Sequence, residues 1–596
     1  MKIYAWGLLS WAAVHASVAM AQEGIFPFQE YEKSVSAARK ISPLGEAPFG
    51  EKISMFTGAV EFVVNDVSIP GNNSLSVAVG RRFLIDDRGP ETYQSKERND
   101  WFLGGFADWD IEIPYIETTV SEQGWIVDDL NPGRRCGAAK GPTANIPNFY
   151  PYQFTTGIGL HIPGRGGGKI VVTDPANSLP SDGNSYPWIT AGRIMLRCLS
   201  QTKNGYPGEG FVALTPNGEK YYLDWGVERG ASSIKTMVGA PGNQRTAYAV
   251  RKRVYLLASR AEDRFGNWVN YSYTDNQLSG IASSDGRSIS ISYINGNVSQ
   301  VTANGRVFLY EYAAATSTDD GGLRMVTLPA GERWYYFKSG RLRFSRGVAP
   351  EEPGECGSVL PPTTPFVYSV INPSGLTAQF SFTKSVLSRY TESTVPDCDS
   401  SRAPSYFEVW GLTSKTISGP GINQQVTSYS IYPYSGLAEK WNEIVHPDGS
   451  KARYRYGTRY HLEGSSTPIN EGLLFEEQVL SFDGALVSKK TTDYQNVPGQ
   501  QTPFLRKIGV PLKVNDADAY LIRPIKSVKL DQDGASFSYA VSSFDGFARP
   551  LSVTKSSTLG HSRTEATTYS DNLSKWVLGQ VKTVTCTAPA SCAGQV

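Results

Sequence analysis

From Asp263 the chain runs DRFGNWVNYSYTDNQLSGIASSDGRSISISYINGNVSQVTANGRVFLYEY, and one pattern recurs within it. A glycine (Gly266, Gly286, Gly305) is followed by Asn267, Arg287 or Arg306, then by a strand-like run ending on Tyr273, Tyr293 or Tyr312. The tyrosines are 20 and 19 residues apart, and a fixed period of that size marks a repeat architecture with one hairpin-sized unit per period. A single hairpin cannot bury its own apolar face, so the units must stack into one continuous sheet. Weaker copies follow, with Gly449 before Tyr456, Gly484 before Tyr494, Gly534 before Tyr539 and Gly546 before Tyr569. The Asp-Gly and Asn-Gly pairs predict two-residue hairpin turns with positive φ at both central positions. Each terminal tyrosine is expected to lay its ring on a neighbouring strand and leave its hydroxyl in water.

Composition agrees with a sheet. Gly (59) and Tyr (32) are abundant, aromatics reach 12%, and no long window has a sustained 3.6-residue apolar period. The fold class read from this is all-β: an N-terminal β domain over residues 51–245, then a repeat strip over 246–596. The period breaks at Ala313–Gly322, and the Pro/Gly-rich stretch near 346–366 reads as a loop insertion. Residues 1–21 have the make-up of a signal peptide, with Lys2, an apolar run from Trp6 to Val14 and small residues before Ala21. Residues 22–50 read as a leader or linker. The mature chain is therefore expected to be exported to the periplasm, cell surface or medium, with no transmembrane span. Without Lys2, 56 basic residues face 56 acidic ones, which gives no electrostatic basis for binding nucleic acid.

All six cysteines lie in the mature part, and an even number in an exported protein favours disulfides. Of the fifteen pairings possible, neighbour pairing is the expectation: Cys136–Cys198, Cys356–Cys398 and Cys586–Cys592. No Cys/His cluster with metal-ligand spacing occurs, so neither metal nor cofactor is expected.

Other candidate chemistry is thin. Gly164–Lys169 (GRGGGK) lacks the Ser/Thr and following helix of a phosphate loop and reads as a hairpin turn. Asp108, Asp110 and Glu112 alternate along an expected strand, Trp109–Ile116, and read as a solvated face; Asp516 and Asp518 form a second such pair. The mature histidines (His161, His446, His461, His561) are scattered and match no catalytic motif. Trp188, Trp225, Trp268, Trp334, Trp410 and Trp441 are expected mainly to pack between strands, although such rings could also stack on sugars. The chain is read as non-enzymatic.

The stretch Asp263–Tyr312 resembles the YD repeats of the RHS (rearrangement hotspot) family. Leu473–Tyr494 and Phe537–Gly579, with Tyr569-Ser570-Asp571, resemble them too. Thr57–Phe83 is similar to the domain that opens exported bacterial RHS proteins. The resemblance implies a β-strip coiled into a shell that encloses or presents a polypeptide, in toxin delivery or intercellular competition. Related proteins act in adhesion, and cell-surface carbohydrate is the alternative ligand. Neither a plug domain nor a toxin module is visible, so no cleavage residues carry over. The strip is expected to run on without closing, as part of a shell completed by a downstream-encoded or separately encoded polypeptide.

Overall fold

The computed structural model describes residues 47–85, 103–127, 133–142, 157–173, 178–238, 243, 245–316, 319–342, 365–388, 406–431, 439–458, 470–495 and 523–589. The expected signal peptide, most of the leader, Cys356, Cys398, Cys592, His461, Asp516 and Asp518 lie outside them. Among the described residues every regular element is a strand, and the fold is an all-β, shell-like one.

The first five strands form a small antiparallel sheet: β1 (Glu51–Ile53), β2 (Val60–Ser68), β3 (Ala78–Leu84), β4 (Gly105–Phe106) and β5 (Trp109–Ile111), in the order β1-β2-β3-β5-β4. The expected strand Trp109–Ile116 is in fact two. Its second half belongs to β6 (Tyr115–Ser121) in the other sheet, and Pro114, which has no N–H for a ladder, separates them.

β6 is followed by β7 (Ile158–Ile162), β8 (Gly166–Val172), β9 (Trp188–Thr190), β10 (Met195–Leu199), β11 (Gly210–Leu214), β12 (Lys220–Val238) and β13 (Arg245–Glu262). Each pairs with the next, and β13 pairs back to β6, closing an eight-strand ring. Side chains alternate across a strand, so the registers put Ile116, Leu160, Trp188, Leu196, Phe211, Leu223 and Leu256 on one common, fully buried face. The chain's own loop packs there: Trp125 stacks on Phe211, and Trp188 donates to the Cys136 carbonyl (2.8 Å). Cys136 is bonded to Cys198 on β10, the first of the expected neighbour pairs. The boundary between residues 245 and 246 falls within β13, after its first residue, and β13 pairs with β12 along nearly its whole length.

The outer edge of β13 is shared. Arg251–Leu257 pair with β6, while Arg260–Glu262 pair with β14 (Trp268–Thr274), and from there a strip of twenty strands runs to β33 (Val577–Ala588). Consecutive strands pair antiparallel throughout, so alternate connections fall on opposite rims. On one rim they are all tight, at 263–267, 284–287, 304–305, 328–332, 372–376, 420–421, 446–450, 481–485, 533–534 and 557–561. The other rim carries 314–321, 340–365, 389–405, 432–438, 458–473 and 495–524. The decay of the sequence period is therefore one-sided: the tight rim keeps its spacing, and the insertions accumulate opposite.

The last turn of the strip returns to the ring. Trp576, fully buried, packs with Phe547, Leu573 and Leu578 against Val171, Ile189, Met195 and Leu214. Its indole N–H reaches the Arg193 carbonyl (2.9 Å), and Leu578 N–H reaches Pro216 O (2.8 Å). The strip, expected to remain open, thus docks at this turn onto the ring from which it starts.

Candidate functional site

The recurrent glycines serve two kinds of turn. Asn295-Gly296, Asn304-Gly305 and Asp533-Gly534 have positive φ at both residues, as two-residue hairpin turns require. Gly266, Gly286, Gly449 and Gly484 instead occupy three-residue loops, closed by bonds such as Ser283 N–H to Arg287 O and Gly286 N–H to Ser283 O. There only the glycine is left-handed, at φ 81–90°. In the Asp545–Arg549 loop the left-handed residue is Ala548 rather than Gly546.

The tyrosines depart from expectation in a systematic way. Tyr273, Tyr293, Tyr312, Tyr456, Tyr494 and Tyr569 each stand where the register slips, because the next strand carries one extra residue. Those residues are Ser279, Ser299, Arg324, Phe475, Lys526 and Lys582. Such a bulge breaks the ladder and bends the strand. Five of the hydroxyls, rather than staying wet, bond to carbonyls exposed by bulges in the preceding hairpin. Tyr293 donates to Leu278 O (2.9 Å), immediately before the extra Ser279, and Tyr312 to Val298 O (2.6 Å), immediately before the extra Ser299. Tyr273 reaches Ala258 O (2.6 Å), Tyr494 reaches Leu474 O (3.0 Å) and Tyr569 reaches Pro550 O (2.9 Å), each again just before an extra residue. Burial pushes the Tyr273, Tyr293 and Tyr312 hydroxyls up, which keeps them protonated donors. Tyr539 stands in regular pairing opposite Val528.

These hairpins build a wall whose apolar face is already occupied by the chain's own residues 49–85 and 103–111. Phe62 packs on Tyr368 and Phe380 (ring centroids 5.0 Å from each), Phe83 on Tyr368 (5.1 Å), Phe106 on Tyr310 (4.8 Å) and Trp109 on Tyr336 (5.5 Å). Further along, Phe49 meets Trp334 and Phe56 meets Tyr456.

Polar side chains of the strip receive the segment's main chain. Arg287 donates to the carbonyls of Ile69 (3.1 Å) and Leu75 (3.2 Å), Lys440 to Phe56 O (2.7 Å) and Asn442 to Met55 O. Leu412 N–H, beside the bulge at Thr413, takes Gly58 O (2.9 Å). Buried ion pairs tie the same surfaces: Lys415 with Glu51, and Lys338 with Asp108. Arg81, fully buried over the Trp109 and Tyr336 rings, pairs with Asp66 (2.8 Å). Burial opposes its charge, but Asp66 and Tyr336 outweigh that and hold the guanidinium above its ordinary value. Among the described residues no carboxylate pairs with Lys440: it donates to the Phe56 carbonyl and lies over the Phe56 ring (5.0 Å), and burial pulls its ammonium down to about 8.

The other candidates resolve into structure. Asp108, Asp110 and Glu112 do not share a solvated face. Asp108 goes to Lys338 and Leu323 N–H, Asp110 accepts Gly104 N–H, and Glu112 pairs with His161 (2.9 Å). All three lie around β5, between the strip and the ring: Asp108, in the turn before it, meets the strip, Asp110 stays within its own sheet, and Glu112, just after it, meets the ring. Gly164 lies in the turn between β7 and β8, and Gly166–Lys169 are part of β8 itself. Trp188 and Trp410 are buried, Trp225 stacks on Tyr273 (4.8 Å), Trp268 lies under Arg260, and Trp441 is 36% exposed. Cys586 is buried and disulfide-bonded, its partner lying outside the described residues. Glu209 caps the N–H groups of Cys136 and Gly137, so its place beside Cys136 and Cys198 is structural.

What this site can do is bind polypeptide: it offers aromatic slots and main-chain-directed donors along an extended path. The bulges, the capped carbonyls and the internal sheet had no signature in the residue pattern. Neither a protein-family model nor a curated protein matches the chain.

Proposed function

We propose that this is an exported shell protein of the RHS/YD-repeat kind, whose strip encloses or presents a polypeptide in toxin delivery or intercellular competition. One observation carries the reading. The strip's apolar face takes up residues 49–83 through ring slots and through donors aimed at their carbonyls, which is recognition of main chain more than of sequence. Such a surface suits a cargo of variable sequence. The twenty-strand strip and its return to the ring at Trp576 support the same reading, because they surround rather than merely support that face. The same face continues past the internal sheet to Lys490 and Lys555, by register with Tyr454, Leu530, Phe537 and Tyr539. A surface-glycan role has less behind it, since most of the tryptophans are packed.

The test is lysine cross-linking of the chain isolated from its native host, read by mass spectrometry. Cross-links from Lys490 and Lys555 to a second, protease-protected polypeptide are expected. A chain that yields intrachain cross-links alone overturns the reading.

A further inference from the structure

Lys338 and Asp108 meet where the internal sheet docks on the strip. Asp108 stands in the turn between β4 and β5, and Lys338 lies 230 residues further on, in β20 (Arg333–Ser339). The ammonium touches Oδ2 of the carboxylate, and the two side chains are only 5% and 12% exposed. Each partner is also held from outside the pair. Oδ1 of Asp108 accepts the Leu323 N–H (2.7 Å), while Lys338 Nζ donates to the Gly321 carbonyl (2.6 Å) and lies 5.2 Å from the centre of the Phe83 ring. Gly322, between those two main-chain contacts, has a φ of 113°. A Cβ there would stand 2.6 Å from Nζ and closer still to the carboxyl carbon of Asp108. The backbone admits the two groups together only because this residue has no side chain.

Such an arrangement can do more than neutralise charge. In buried surroundings an ammonium–carboxylate pair comes close in energy to the neutral amine and acid, reached by passing one proton across the contact. The amine is then a nucleophile lying against the acid. The carbonyl oxygen of that acid, Oδ1, already meets a main-chain N–H, the kind of donor that stabilises a tetrahedral oxyanion. The buried Arg81–Asp66 pair has no such chemistry open to it, because a guanidinium does not give up its proton.

We propose that Lys338 and Asp108 condense to a side-chain amide that fastens the internal sheet covalently to the strip. The Nζ–Cγ bond forms and the Cγ–Oδ2 bond breaks. Nζ gives up two protons in all, both to Oδ2, which leaves as water, so neither an oxidant nor a second reactant is needed. In open water this condensation runs uphill. Here the fold holds the reacting atoms in contact, which supplies a high effective concentration, and the enclosed site keeps water from reversing the step. The bond concerns the chain's own lining and is independent of what the shell holds.

The test is peptide mapping of the mature chain, reduced and digested with trypsin, by mass spectrometry. We expect a branched peptide that joins the segments around Asp108 and Lys338 and is lighter than their sum by one water, with no cut after Lys338. Lys338→Arg keeps a positive charge against Asp108 but removes the nucleophile, so the branched peptide should vanish. Asp108→Asn should form the same branched peptide with loss of ammonia instead of water. Separate peptides from the native chain, with trypsin cutting after Lys338, would overturn the proposal and leave an ordinary ion pair. A branched peptide that persists in Lys338→Arg would overturn it as well. The native chain decides by itself, so the outcome stands even where a variant fails to fold.

Discussion

A tyrosine hydroxyl bonded to a main-chain carbonyl is a small contact, yet here it recurs at corresponding places along the strip. Replacing Tyr293 with Phe keeps the ring but leaves Leu278 O uncapped, at a cost of about 1–3 kcal/mol. The expected outcome is faster amide exchange around Leu278–Gly280 with little change in the ring strands. Removing Asp66 is costlier, because Arg81 would stay buried without its counter-charge; Asp66→Ala should lose about 3–5 kcal/mol in a urea titration. Lys440 gives a pH signature. Its folded value of about 8 lies below the ordinary 10.5, so between those values the unfolded chain holds the proton that the folded chain has released. Its contribution to stability therefore rises with pH across that window and is lost as pH falls through about 8. In thermal melts, Lys440→Met should flatten the rise between about pH 8 and about pH 10. At this scale the sequence showed that the tyrosines recur and not what they do. Their acceptors are carbonyls in another hairpin, created by bulges whose extra residues (Ser279, Phe475, Leu551) share no side-chain type.

Among the elements, the ring and the seam make the clearest predictions. The Cys136–Cys198 bond spans 62 residues and fastens the loop that fills the ring, so reduction should destabilise β6–β13 by about 4 kcal/mol on a chain-entropy estimate. Mild reductant should thus speed exchange there before it affects the strip between β14 and β26 (Lys451–Gly457). Trp576→Ala empties the seam between strip and ring, at about 3–5 kcal/mol. Limited proteolysis of that variant should cut first in the hairpins after Ile525, while the ring remains intact. Much at this level was legible. The hairpins from Asp263 to Tyr312 and a turn at Gly164-Arg165 follow from turn residues and β-branched runs, whereas the first disulfide was one of the pairings that six cysteines allow. The carboxylates at 108, 110 and 112 did not, because alternation looks the same on a strand that faces water and on one enclosed between the strip and the ring. Pro114 signalled only that the expected strand Trp109–Ile116 divides.

Taken whole, the molecule is a strip of hairpins that leaves a small plugged ring, passes over a sheet made from the chain's own N-terminal residues, and returns to the ring at Trp576. The period near twenty residues made the strip predictable. That its apolar face is filled from within was not, since β1–β5 are short, irregularly spaced strands whose partners lie hundreds of residues away. The internal sheet also gives the shell its logic: a surface that holds its own extended chain through carbonyls and ring slots is prepared to hold another. Electron cryo-microscopy of the mature chain tests this most directly. The account predicts a curved β wall joined to the ring at Trp576, with a five-stranded sheet inside it against Tyr310, Tyr336, Tyr368 and Phe380. An extended strip with an empty apolar face, or a sheet of residues 51–111 lying apart from it, would contradict the account.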